Sequence, residues 1–407
     1  MTPSSRRSTH YGINRGRVCS DFAVCVRVFA LLAFIAPLEP CVSDPAIPAT
    51  GRLANTAIST TVDSALAKEY LAGASSYDAG IGSPMGRIAL IEERFRGRPL
   101  DWVTLKKLSE VTSPDFATIY FIKRCLTNYS NELFQTAYAN EFQRIESLIQ
   151  ERAWLGTVRN SVRGYRFLFI PGFHYLTDPT SGADFLNQRT LMRALGIDVQ
   201  LAATQEDGTI EENAQIVAQT IRSVSRYNPK LILVSTSKSG PETALALGRI
   251  LGPGETNSVR AWISVGGLIR GTPLANRAMA LPQSWIIPLI FSLQKVSFRS
   301  VPDLTTRASR ARMESIRLPQ HILVVEYVAA PLSGDIAEDV RARYRYLRKY
   351  GPNDGLTLLA DELIPGGVTI IEPGVDHFYR DPEINMKSLA IANVVAGALN
   401  DRSSLRR

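Results

Sequence analysis

Histidine and cysteine are both scarce, with four of each in 407 residues. Cys19, Cys25 and Cys41 fall within the first 45 residues, which leaves Cys125 alone in the remainder, and a lone cysteine closes no internal disulfide. No CxxC pair and no Cys/His cluster at metal-ligand spacing occurs, so neither a metal centre nor a cofactor is expected. The apolar run Val28 to Leu38 is only 11 residues, too short to span a bilayer comfortably. Internal repeats and low-complexity blocks are missing, and nothing resembles a nucleic-acid-binding module.

What remains is an ordinary globular composition, 45% apolar and 21% charged, in a chain long enough to bury a large core. Arg6, Arg7, Arg15 and Arg17 precede the short apolar run, and small residues around Ser43 and Ala46 follow it. Residues 1–45 therefore read as a signal peptide, and the protein as exported, periplasmic or secreted; the alternative is an uncleaved N-terminal membrane anchor. The net charge is +8, of which residues 1–42 carry +3. The densest basic stretch, Arg341, Arg343, Arg345, Arg348 and Lys349, reads as a solvated helix face, or as a peripheral contact with anionic lipid. Oligomeric state is not legible.

Residues 46–85, rich in Ala, Ser, Thr and Gly, read as a linker with room for one helix. Residues 86–160 read as an N-terminal helical region. Ser113-Pro114-Asp115 is a helix start, and Tyr138, Phe142, Ile145 and Ile149 recur on one helical face. From about 161 to 402, short apolar runs alternate with helical stretches, which predicts an α/β domain with a mostly parallel sheet covered by helices. The expected strands are 167–170, 199–202, 231–234, 261–265, 322–328 and 368–371.

Three segments at the ends of those runs carry chemistry. Leu231–Val234 leads into Ser235-Thr236-Ser237-Lys238-Ser239-Gly240, with a helix from Pro241. A strand–serine–helix elbow needs small residues two before and two after the nucleophile, and Ser237 is the serine that meets this condition, as S-x-S-x-S-G. His377 follows the last apolar run through the Pro373-Gly374 turn and is the expected base; His321 opens a strand and reads as structural. The acid that orients the base should lie between the runs at 322–328 and 368–371. Asp354, in a Gly-Pro-Asn-Asp-Gly turn, is preferred, with Asp335 as runner-up; Asp376, adjacent to His377, points the wrong way. The amides of Lys238 and Phe173 are the expected donors to an oxyanion, with Gly172 letting the backbone approach. Gly172 and His174 are also expected to line the substrate pocket.

Ile170-Pro171-Gly172-Phe173, Val234 to Gly240, Asn353 to Leu356 and Val375 to Phe378, in this order, resemble the α/β-hydrolase superfamily and its lipase/esterase-like members. Ile263 to Asn276 (ISVGGLIRGTPLAN) resembles the lipase segment after the post-elbow strand. The resemblance spans roughly 164–400 and departs from the G-x-S-x-G pattern by Ser on both sides of the nucleophile. It implies a serine hydrolase cleaving carboxylic esters through an acyl-enzyme, acting on a small-molecule or lipid ester. Acyl transfer or thioester cleavage on the same triad, and a silent binding protein of the same fold, are the alternatives. An insertion at about 271–318 sits where this fold often carries a cap or lid, and its apolar centre makes Trp285 a candidate pocket residue.

Overall fold

A computed structural model of the chain describes residues 46–73, 83–150, 162–226, 230–280 and 298–404. Residues 1–45, expected to be a signal peptide, lie outside the described residues, as does Trp285.

Of the segment expected to be a linker, residues 46–73 are folded. Strands β1 (Ile47–Leu53) and β2 (Thr56–Val62) pair as an antiparallel hairpin, followed by α1 (Ala65–Ala72). The hairpin turns at Ala54 and Asn55, both at positive φ. Its inward residues Ala49, Leu53, Ile58 and Val62 are buried in one cluster with residues of the next helices. Alternate small apolar residues on a pleated strand suffice for that burial, even in a segment of polar composition. Helices α2 (Pro84–Phe95), α3 (Trp102–Val111), α4 (Pro114–Leu126) and α5 (Tyr129–Gln150) complete this N-terminal unit. Ser113 caps α4, its hydroxyl accepting from the Phe116 amide at 3.3 Å.

The main sheet has six parallel strands in the order β4-β3-β5-β6-β7-β8. They are β3 (Tyr165–Ile170), β4 (Asp198–Leu201), β5 (Lys230–Thr236), β6 (Val259–Val265), β7 (Leu323–Ala330) and β8 (Val368–Pro373). The intervening helices are α6 (Leu186–Ala194), α7 (Ile210–Ser225), α8 (Ser239–Leu245, continued by a π turn to Ile250), α9 (Pro273–Met279), α10 (Thr306–Glu314), α11 (Glu338–Arg348), α12 (Leu359–Glu362) and the closing α13 (Ile384–Ser404). Alternate residues of β3, β5 and β6 feed two separate core clusters, one per face, while Val328 and Ala330 of β7 and Ile371 of β8 join the cluster of the N-terminal unit. This order, with a serine elbow after the central β5, is the α/β-hydrolase fold.

Strand β8 lies at the sheet edge, where unpaired backbone groups would be exposed. The N-terminal unit covers it. On α5, the Asn131 side chain accepts from the Thr369 amide at 2.9 Å, and Gln135 accepts from the Ile371 amide at 2.8 Å and donates to the Ile371 carbonyl at 3.1 Å. One helical turn of α5 thus matches two residues of strand and finishes the edge with side-chain amides.

Candidate active site

The elbow between β5 and α8 holds Ser237 at φ 54°, a left-handed conformation rarely adopted by a serine. Backbone bonds fix it: the Ser237 amide donates to the Val265 carbonyl at 3.1 Å, and the Ser237 carbonyl accepts from Gly240 and Leu268, both at 3.0 Å. The serines in place of the usual glycines have work of their own. Ser235 is fully buried, and its hydroxyl accepts from the Trp262 indole at 2.8 Å. The Ser239 hydroxyl lies 2.8 Å from the Ile170 carbonyl at the end of β3 and accepts from the Thr236 amide at 2.9 Å. Gly240 provides the close approach, since a Cβ there would meet the Gly267 backbone at 3.0 Å.

His377 Nε2 lies 3.1 Å from Ser237 Oγ, and His377 Nδ1 lies 2.5 Å from Asp354 Oδ2. Asp354 is fully buried. Its other oxygen accepts from the Leu356 and Thr357 amides at 2.8 and 2.7 Å, which makes the Asn-Asp-Gly turn a rigid holder. The His377 amide donates to the Asp354 carbonyl at 2.9 Å, so ring and backbone are both registered on one residue. Gly266, at positive φ, leaves room for the imidazole: a Cβ there would sit 3.3 Å from His377 Cε1. A hydroxyl hydrogen-bonded to an imidazole whose far nitrogen faces a buried carboxylate can pass its proton to that imidazole.

The other two aspartates point elsewhere. Asp335 folds back to accept from the Leu332 amide at 3.0 Å, in a turn beside the hairpin. Asp376 accepts from the Phe378 and Ala337 amides at 3.1 and 3.2 Å. His321 is structural, with Nε2 3.1 Å from the Thr256 carbonyl.

The amides of Phe173 and Lys238 donate to no backbone or side-chain acceptor among the described residues. The loop carrying Phe173 is braced: Gly172 donates to Ala183 O at 2.9 Å, and Glu206 accepts from the Leu176 and Thr177 amides at 2.6 and 2.7 Å. Gly172 packs against Thr236 and Ala183, where a Cβ would lie at 3.2 to 3.4 Å, beside the cavity-lining Phe173. His174 lines the cavity, at positive φ; burial pulls its pKa down, against the pull of Glu206. The Lys238 side chain is buried with its Nζ 2.6 Å from Glu242, also buried. Burial pushes the Glu242 carboxyl up to about 7, with Lys238 pulling the other way.

Ser237 and His377 open onto a cavity of about 710 Å³, a size suited to a small organic ligand. One wall comes from the 271–318 insertion, through Leu274, Ala275, Ala278, Val301 and Leu304. The other wall was missed in the sequence. It is built by β3, β5, β6, α6 and α13, whose apolar periodicity reads as core whether the space behind it is filled or empty.

No model of a known protein family and no curated protein matches this chain. Among solved structures it is similar to the metagenomic carboxyl esterase MGS0156, at 22% identity and a TM-score of 0.47, covering 59% of this chain and 76% of that one. It is also similar to the mature Bacillus licheniformis lipase BlEst2, at 18% identity and a TM-score of 0.44 over 59% and 90% of the two chains. The Staphylococcus hyicus lipase aligns at 12% identity and a TM-score of 0.44, over 60% and 95%. The fold assignment rests on the strand order and the elbow of this chain itself.

Proposed function

We propose that this protein is an exported serine hydrolase of carboxylic esters, with Ser237 as nucleophile, His377 as base and Asp354 as the acid that orients it. The observation that carries the reading is the unbroken hydrogen-bonded line from Ser237 Oγ through His377 to buried Asp354, opening onto a mainly apolar cavity. In the first step Ser237 Oγ bonds to the ester carbonyl carbon while His377 Nε2 takes its proton. The carbonyl oxygen becomes an oxyanion received by the Phe173 and Lys238 amides, and the helix N-terminus behind Ser237 favours the same charge. His377 then returns the proton to the departing alcohol, leaving an acyl group on Ser237. Water, deprotonated by the same imidazole, attacks that acyl group, and the acid leaves as Ser237 recovers its proton.

Export rests on the Arg-flanked apolar run in residues 1–45. Among the described residues, no helix is long and apolar enough to cross a membrane. The basic stretch from Arg341 to Lys349 is not the solvated face expected of it, since Arg343 is buried and Arg348 pairs with Asp63, so any lipid contact is left to Arg341, Arg345 and Lys349. The test is hydrolysis of 4-nitrophenyl acetate by the purified protein. Turnover should fall by about 10⁴-fold or more in both Ser237→Ala and His377→Ala. Turnover retained in either variant, or none in the wild type, would reject the reading.

A further inference from the structure

The cavity at Ser237 continues down one face of the sheet. Phe169, Val234 and Ile263 lie in register on β3, β5 and β6, and all three line it. Phe167, two residues further down β3, lines it too. The residues that alternate with them, Leu168, Leu233 and Trp262, belong to the other core cluster and do not line it. From Thr236, beside the nucleophile, to Ile232, the register partner of Phe167, is four residues, roughly 13 Å of strand.

The opposite side of this branch is a single stripe of α13. Ile384, Ser388, Ile391 and Ala392 line the cavity at helical spacing, and the eight helical steps from the first to the last span about 12 Å. Met192 of α6 adds a flexible, polarisable side chain. The one polar side chain on the α13 stripe, Ser388, has its hydroxyl bonded to the Ile384 carbonyl at 2.7 Å and offers no free donor. The charged lining residues Asp178, Asp184, Lys238, Arg343, Arg380 and Asp381 lie on none of β3, β5, β6 or α13, the elements that form this deep branch.

We infer that this sheet-face branch is a binding channel for an unbranched apolar chain of the ester, about ten carbons long at roughly 1.25 Å of reach per carbon. The inference rests on the ester-hydrolase reading for the nature of the guest. A slot bounded by strands and one helix stripe admits a linear chain, and it holds nothing to compensate a charge or hydroxyl at the far end. The chain can be the acyl group or the alcohol, which two substrate series separate.

The test is specificity constants for 4-nitrophenyl esters from acetate to palmitate and for alkyl acetates from ethyl to dodecyl. In one series the value should climb tenfold or more towards about ten carbons and then level or fall. Ala392→Phe, at the deep end of the stripe, should move the optimum to shorter chains, and Ser388→Phe, nearer Ser237, should move it further. A flat wild-type profile in both series overturns the channel, as do variants that melt normally and keep the wild-type optimum. Either outcome leaves acetate hydrolysis, and so the proposed function, intact. If the wild type hydrolyses no ester, calorimetry with 1-decanol decides: binding weakened by Ala392→Phe supports the channel, and no binding overturns it.

Discussion

Asp354 and Asp115 are both fully buried, and they do opposite things. Asp354 uses one oxygen to accept two amides of its own turn and turns the other towards His377, whose far nitrogen faces a hydroxyl at the cavity. Four donors bond the Asp115 carboxyl. It accepts from the Asp63 amide at 2.7 Å, from the Ser333 amide and hydroxyl at 2.9 and 2.6 Å, and from Tyr344 at 3.2 Å. Asp63 answers by accepting from the Asp115 amide at 3.2 Å and pairs with Arg348 at 2.8 Å. One carboxylate holds a movable proton in line, and the other brackets the N-terminal unit to the α/β domain. Burial of an acid therefore does not mark chemistry; an imidazole leading from it to a cavity does.

The largest effect that sharpens this contrast is expected at Asp354. Asp354→Asn should lower kcat on 4-nitrophenyl acetate by about 10⁴-fold, through loss of the orienting charge, with a thermal midpoint close to wild type. Asp115→Ala should do the reverse. Stranding two amides and two hydroxyls should cost about 3 kcal/mol in denaturant unfolding, while folded protein keeps its kcat. Burial, and next the neighbouring Asp63, push the Asp115 carboxyl up to about 7. Asp115 thus holds its proton more tightly folded than unfolded. Its contribution is complete below the ordinary carboxylate range and is lost as pH rises through about 7. Asp115→Asn, neutral at every pH, should flatten that part of the stability profile. The smallest effect is expected at Asp335, the other candidate acid. Asp335→Asn removes one turn cap, at about 1 kcal/mol, and should leave kcat within about twofold. A large loss of kcat there would break the assignment of Asp354.

The candidate site is legible where its geometry is local. Ser237 was identifiable because an elbow restricts residues two positions away, and Asp354 because an Asn-Asp-Gly turn aims a side chain inward. The Ser-for-Gly departures at 235 and 239 became intelligible only in three dimensions, through Trp262 and the Ile170 carbonyl. The hairpin at 47–62 is not legible in the sequence because its polar composition hides an inward row, buried mainly by the helices that follow it. Asp115 looked like a helix-start acid, which by position it is. Its partners Ser333 and Tyr344 are more than two hundred residues away. The sheet-face branch was illegible for a different reason: Phe167, Ile391 and Ala392 carry the same pattern whether they meet one another or enclose a slot.

The most direct test of the central claim is the site of covalent modification. The purified protein would be treated with a fluorophosphonate and the adduct located by peptide mass spectrometry, with Ser237→Ala and His377→Ala alongside. A single adduct on Ser237, missing from the alanine variant and strongly slowed without His377, is the expected result. An adduct on Ser235 or Ser239, or a folded wild type that takes none, would contradict it.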